Sequence, residues 1–443
     1  MHMNNIAITY LAAYLVILAI ITWRSAKRET PADYINSGKN LSANDSTWTT
    51  FASLLTGYNF VIGVTFSFLY GFWYLMVFVG AGMAFVVLYL FYKKHLLPLQ
   101  RDHDLFSIGD YFGLKYGSLS KKLINLILCG GLILFLILQM FVNTTLFSAL
   151  LHIEKLTALI ITTGVVCIYL WFGGFKASVK TDIFQGLLML PIIMTIFVFP
   201  VHFTLGKIPQ AFDPSQFWFA IGLMLLQFLS LLGQAESFQR IFASRDVESL
   251  KKGLGRAFIL LALVAGSIAY LGINFKFSGL ISDPSDLFTK GVLTALPSWL
   301  GPLLTISLIA SFMGTIDSSA FAFGVLVAKM RGAKEKSIIK STRLFTLLGI
   351  IVSAISSLYL FSFLSSVFAL ISLISVVGAT LVVSITLRPS TFEINTFLIV
   401  GSVIFIVGLI LKFVTDNPLT SLIPSGAALL AMLLVRAYVS FKR

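Results

Sequence analysis

The sequence predicts an all-α integral membrane protein of about thirteen transmembrane helices, with a five-plus-five inverted-repeat core, the N-terminus outside and the C-terminus cytoplasmic. Three observations carry that expectation: an apolar composition that no soluble domain needs, a Lys and Arg distribution in step with the apolar runs, and two polar-interrupted runs five spans apart. Of 443 residues, 58% are apolar and 11% charged, and the mean hydropathy of +0.94 is far above soluble composition. Thirteen helices of about 20 residues consume about 260, which leaves no room for a large soluble domain. The excess of 32 Lys and Arg over 18 Asp and Glu therefore serves topology, since there is no basic soluble domain to hold a nucleic acid.

The first run, Ile6 to Trp23, has no Lys or Arg before it and Arg24, Lys27 and Arg28 after it. It reads as a retained span with an outside N-terminus rather than as a signal peptide. Spans follow near 47–70, 72–92, 123–151, 156–172 and 181–203, then near 217–236, 257–275, 298–328, 344–361, 363–387, 394–414 and 419–440. The expected organisation is residues 1–46 as an extra span and linker, 47–203 and 204–390 as the two repeats, and 391–443 as two further spans. With this assignment all Lys and Arg but Lys155, Lys207, Lys276, Lys290 and Lys412 fall in cytoplasmic segments, as the positive-inside rule requires. The two cysteines, Cys129 and Cys167, each sit inside an apolar run, so no disulfide framework is available.

The second span, Ser46-TWTTFASLLTGYNFVIGVTFSFLY, carries Thr56, Gly57, Tyr58 and Asn59 at its middle. Glycine costs about 1 kcal/mol in a helix interior, and open backbone is tolerated at membrane depth only where it lines a cavity or meets an ion. An unwound hinge is expected at Thr56 to Asn59. Five spans later, Trp218-FAIGLMLLQFLSLLGQAESFQR repeats the feature with Gln227, Ser230, Gly233 and Gln234. Five is odd, so the two halves face opposite ways, and paired Gly-interrupted segments of this kind mark a midplane binding site in secondary transporters. Gly57 and Gly233 are the expected hinge glycines, and Tyr58, Asn59, Gln227 and Ser230, with Gln139 on the fourth span, the expected solute contacts. Packing by small and polar residues is the competing explanation for each.

Two acids qualify within predicted spans, with Glu236 a weaker case near a cytoplasmic helix end. Asp182 is near the start of the sixth, in Gly173-GFKASVKTDIFQGLLML, and Asp317 is near the middle of the ninth, in Ile309-ASFMGTIDSSAFAF. An intramembrane Asp costs about 2.5–3.5 kcal/mol on insertion scales and calls for a partner. At helical spacing Thr315, Ser311, Ser318, Gly314 and Asp317 share one arc of the ninth helix. They offer the hard oxygens that suit a desolvated alkali cation, whereas a transition metal would want His or Cys. The sequence has no HExxH, GxSxG or Walker A motif and its five histidines are scattered, so an enzyme is not expected.

These residues resemble the sodium/solute symporter family. The most specific match is Gly173-GFKASVKTDIFQGLLML, similar to that family's Gly-Gly…Thr-Asp-x-x-Gln signature. Asp33-YINSGKNLS, Ser107-IGDYFGLKYGS, Gly233-QAESFQRIFASRD and Phe312-MGTIDSS support it, so that the resemblance covers roughly residues 31–390. It implies a LeuT-like inverted repeat in which core helices one and eight hold a coupling Na⁺. Carried over by position, the backbone carbonyls of Thr56, Asn59 and Ser311 and the hydroxyl of Thr315 would be ligands. Gly314 stands where members usually carry a second hydroxyl, which removes a ligand. A further ion position in some members matches Asp182 and Ser318, with Asp317 where a Ser often stands.

The expected function is then Na⁺-coupled symport of a small neutral or zwitterionic organic solute across a bacterial cytoplasmic membrane by alternating access. The expected partners are the solute and the bilayer, with no nucleic acid and no obligate protein. Two alternatives remain: proton coupling through Asp317 and Asp182, and a transporter-like solute sensor. Proline-transporting members differ around the Gly233-Gln234 step, at Gln227, Leu231 and Ala235, which argues against proline.

Overall fold

A computed structural model of the chain describes residues 2–26, 30–103, 105–151, 153–198, 205–279, 300–359, 362–415 and 417–442. Among the described residues the regular structure is helical, with one isolated parallel bridge between Leu41 and Ser244. Eleven stretches are long and apolar enough to cross a bilayer, and a twelfth helix, Thr9–Ser25, is apolar but shorter. One of the eleven, Asn59–Gln100, is interrupted by a 3₁₀ turn at Gly71–Leu75.

In chain order the α-helices of eight residues or more among the described residues are α1 (His2–Ala26), α2 (Ala43–Leu54), α3 (Gly57–Tyr70), α4 (Met76–Phe91), α5 (Ile108–Tyr116) and α6 (Ser118–Leu151). There follow α7 (Lys155–Phe172), α8 (Phe175–Met189), α9 (Pro191–Val198), α10 (Phe217–Gly233) and α11 (Ala235–Ala243). The remainder are α12 (Val247–Ser278), α13 (Leu300–Met330), α14 (Glu335–Ser357), α15 (Phe363–Thr386), α16 (Thr391–Ile410) and α17 (Ile423–Lys442).

The starts of several helices are written in their capping residues. Ser42 with Asp45, Ser107 with Asp110 and Ser390 with Glu393 form capping boxes for α2, α5 and α16, each satisfying backbone N–H groups that the first turn leaves open. The α3 helix ends at Gly71, whose φ of 62° is left-handed and whose missing Cβ leaves room for the Ala211 carbonyl. The sixth predicted span begins earlier than expected. Gly173 and Gly174 are extended and α8 starts at Phe175, so that Asp182 lies inside the helix and not at its mouth. Lys180, which marked the expected boundary, reaches Asp45 at 3.2 Å.

Helix α13 sits at the centre, with 94% of its most apolar window buried, and it packs on α8, α6 and α14. Around it α10 packs on α15 and α4, and α12 on α2 and α3. The α10–α15 approach is close because glycine faces backbone on both sides. A Cβ at Gly378 would stand 1.8 Å from the Leu229 carbonyl oxygen, and one at Gly233 would stand 2.3 Å from that of Ile374.

Candidate functional site

Two helices of the core are broken, and the breaks are shorter than the sequence suggested. Between α2 and α3 only Leu55 and Thr56 leave helical geometry; Gly57 already opens α3. The reason is capping: the Thr56 hydroxyl accepts from the Asn59 backbone N–H at 3.1 Å, which restarts the helix at once. The Asn59 side chain turns back and donates to the Leu54 carbonyl at 2.8 Å, and Ser311 of α13 donates its hydroxyl to the Leu55 carbonyl. The two carbonyls that leave the α2 ladder are thus met by side chains, as backbone away from water demands. The Thr56 carbonyl accepts from the Phe60 N–H, and Thr315 donates to the Ser311 carbonyl at 2.8 Å. In the second broken helix only Gln234 is extended, between α10 and α11.

Beside the first break lies a buried charge cluster. Asp182 on α8 and Asp317 on α13 are 0% and 1% exposed, and Arg240 on α11 is 4% exposed. The Arg240 guanidinium reaches Ser318 Oγ at 3.0 Å and Asp182 Oδ2 at 3.5 Å through Nη2, and Thr49 Oγ1 at 3.0 Å through Nε. Thr49 also donates to Asp182, and Thr181 reaches Asp317 at 3.4 Å. Glu236 at the start of α11 accepts from Ser319 at 2.6 Å. The guanidinium pairs with Asp182, while Asp317 is met by Thr181; the Oδ1 atoms of both carboxylates have no hydrogen-bond partner. A second positive charge, either a proton or an alkali cation, would balance the cluster. Among the described residues no group of three His, Cys, Asp or Glu could hold a transition metal, and the buried oxygens suit a hard monovalent ion.

On the other side of the break two cavities adjoin. The smaller, about 20 Å³, is lined by Thr56, Asn59, Gln227, Ser230 and Gln234, with Phe135 and leucine and isoleucine side chains. The larger, about 70 Å³, shares Asn59 and Gln227 and is otherwise lined mainly by apolar and aromatic groups such as Phe66, Tyr74, Phe78 and Phe368. No Lys or Arg lines either cavity.

The structure thus brings Asn59, Gln227 and Ser230 together and places Thr56 with them. Gln139 is fully buried on α6 with neither amide atom hydrogen-bonded, and it lines neither cavity. The Tyr58 side chain lies outside the described residues, and Gly57 is placed by its backbone alone, at the start of α3. Thr315, Ser311 and Ser318 are buried on α13, with Ser311 at the break and Ser318 in the charge cluster. Arg240 and Thr49 were not singled out from the sequence, and Gln185 entered only as the last residue of the Thr-Asp-x-x-Gln stretch. Arg240 opens the basic stretch to Arg256 and reads there as a cytoplasmic loop charge, whereas its side chain is buried. The available signal was Glu236 one helical turn before it, beside an otherwise unpartnered Asp182.

A model of the family described as "Sodium:solute symporter family" matches residues 34–388. The chain is 24% identical over 380 residues to the osmoregulated proline transporter OpuE of Bacillus subtilis (strain 168), covering 79% of this chain and 77% of that protein. It is 23% identical over 360 residues to the sodium/pantothenate symporter of Haemophilus influenzae, covering 73% and 72%. A solved structure of a Na⁺-coupled sialic acid symporter in a substrate-bound outward-open state superposes with a TM-score of 0.78 at 19% identity, covering 96% of both chains. That likeness establishes the fold.

Proposed function

This chain belongs to the sodium:solute symporter family, and from that premise we propose that it couples Na⁺ entry to uptake of a small neutral or zwitterionic organic solute by alternating access. The family and the relatives are transporters and not enzymes. The chain spans a membrane many times; the finer reading is thirteen crossings of a bacterial cytoplasmic membrane, with the N-terminus outside and two inverted repeats over 47–203 and 204–390.

The observation that carries the proposal is the first helix break. The Leu55 carbonyl, freed at the break, meets Ser311 of α13, and Thr315 stands one turn on. Thr56, Asn59, Ser311 and Thr315 form the cation site on this reading, and Asn59, Gln227 and Ser230 form the solute site next to it, with Tyr58 as a further contact; Gln139, which lines neither cavity, drops out of the solute site. The two sites share Asn59, so filling one shapes the other. Cavities without Lys or Arg favour a solute that brings no net negative charge, and relatives named for proline and pantothenate support a small organic molecule.

The test is uptake in proteoliposomes, with a panel of amino acids, vitamins and dicarboxylates as competitors. Accumulation should follow an imposed Na⁺ gradient and vanish in Thr315→Ala. Uptake that ignores Na⁺ and follows a pH gradient would refute it. That second outcome, proton coupling, is favoured by one observation, the buried acids Asp182 and Asp317, of which Arg240 pairs with Asp182 and Thr181 meets Asp317. Its signature is loss of pH-driven uptake in Asp317→Asn.

A further inference from the structure

Arg343 stands in the third turn of α14, and its guanidinium is held between two aromatic rings. The guanidinium carbon is 5.7 Å from the ring centre of Tyr34, on the short helix Pro31–Asn36 that leads towards α2. It is 5.8 Å from the ring centre of Trp171, in the last turn of α7. The α14 helix packs on both of these elements. A guanidinium cradled in this way is fixed in orientation while its N–H edge stays available. Its Nε is buried without a hydrogen-bond partner, and among the described residues no carboxylate pairs with Arg343. Asp33, next to Tyr34, is engaged at the start of its own helix, where it accepts from the Thr30 hydroxyl at 3.0 Å. A positioned charge with open donors and no counter-charge calls for an anion.

The surroundings say which kind. Lys336 and Lys340 are exposed and stand seven and three residues before Arg343, within an arc of about 60° on the same side of the helix. Past Arg343, α14 becomes apolar along an adjoining strip, where Leu344, Leu348, Ile351 and Ile355 recur at helical spacing and are all exposed. Trp171 is exposed on α7 beside the basic end, where an indole suits the headgroup level of a bilayer. A basic edge that passes into an exposed apolar strip has the outline of a phospholipid, with phosphate at the edge and acyl chains along the strip. Free phosphate would use the edge alone.

We infer that this corner between α7, α14 and the helix Pro31–Asn36 is a binding site for an anionic phospholipid. Arg343 holds the phosphate, Lys336 and Lys340 flank it, and the acyl chains lie along Leu344, Leu348 and Ile351. A charge that only sets topology needs no aromatic cradle, whereas one that reads a planar phosphate edge gains from being held still. The site is apart from the helix break and from the Asp182 cluster, so it stands whichever ion or solute the protein carries.

The experiment is thermal unfolding of the purified full chain in a neutral detergent. It is titrated with phosphatidylglycerol and, separately, with phosphatidylcholine of the same acyl chains and with inorganic phosphate. A ligand of the folded state raises stability by an amount set by its concentration over Kd. Phosphatidylglycerol should raise the midpoint saturably, and the other two should not at the same concentrations. Arg343→Gln should weaken phosphatidylglycerol about tenfold or more, the size of one lost contact to a charged group. Arg343→Lys should recover only part, because it keeps the charge and loses the fork and the stacking. Lys336→Gln combined with Lys340→Gln changes exposed positions only; it should weaken the lipid too, and it decides the matter should Arg343→Gln fail to fold. Lys251→Gln combined with Lys252→Gln, at the exposed start of α12, should keep the wild-type affinity. Equal shifts with the two lipids, wild-type affinity in Arg343→Gln (or in the Lys336 and Lys340 pair if that variant does not fold), or a like loss in the Lys251 and Lys252 pair would overturn the inference. So would a rise with inorganic phosphate alone, which would make the corner a reader of phosphate and not of lipid.

Discussion

Arg240 shows how a single side chain can knit a membrane core together. It reaches Thr49, Asp182 and Ser318 on three helices, a reach that depends on a planar fork of donors which lysine does not possess. Replacing it by methionine leaves two buried carboxylates without a cation, and a broken buried pair typically costs about 3–5 kcal/mol. Arg240→Met should therefore lower the unfolding midpoint in detergent sharply, Arg240→Lys should restore only part of it, and Asp182→Asn added to Arg240→Met should recover stability. The carboxylates of this cluster, and Ser311 and Thr315 on α13, were legible in the sequence because polar residues in an apolar run stand out. Arg240 was not, since a charge at the edge of a basic stretch looks the same whether it faces water or folds inward. Gln185 stood in the Thr-Asp-x-x-Gln stretch, but as an uncharged amide it gave no sign of its packing against Gly314.

Among the elements, the clearest signals were those tied to local chemistry. Interrupted runs foretold both broken helices, but the first break was expected over four residues and spans two, because Thr56 caps the next helix and pulls Gly57 into it. Capping also makes an element-level prediction at α5. Burial tends to raise the carboxyl pKa of Asp110, but Lys121 at 2.7 Å and the backbone N–H groups of Ser107 and Phe106 outweigh it and hold the group below its ordinary value. A lowered carboxylate stabilises the fold above its unfolded pKa, and that contribution is lost as pH falls below about 4. Thermal stability should therefore decline on that acid limb, and Asp110→Asn should be less stable near neutrality and flatten the decline. Between α10 and α15, Gly378→Ala should destabilise by about 1–3 kcal/mol or more, measured by thermal unfolding, because the added methyl would collide with the Leu229 backbone. This close approach could not be read from Gly378 itself, since a glycine in an apolar helix is equally compatible with an open face.

For the whole molecule, composition and charge placement sufficed for the class of fold, and the Thr-Asp-x-x-Gln stretch for the family. Span boundaries were less legible because hydropathy places them by polarity, whereas Lys176 and Lys180 lie inside α8. The shared residue Asn59 leads to a further expectation at this scale. Na⁺ and solute should raise each other's affinity by one and the same factor, as linkage requires, and calorimetric titration of each in the presence and absence of the other should return equal ratios. The glycine-to-backbone seam between α10 and α15 bears on how such a protein moves. Two helices meshed at backbone distance at Gly233 and Gly378 have little room to slip past each other there, so neither turns without carrying the other. Spin labels placed on α10 and α15 should hold one fixed separation through the transport cycle, while labels placed across from them on α2 or α13 report the rocking of that pair as a single lever.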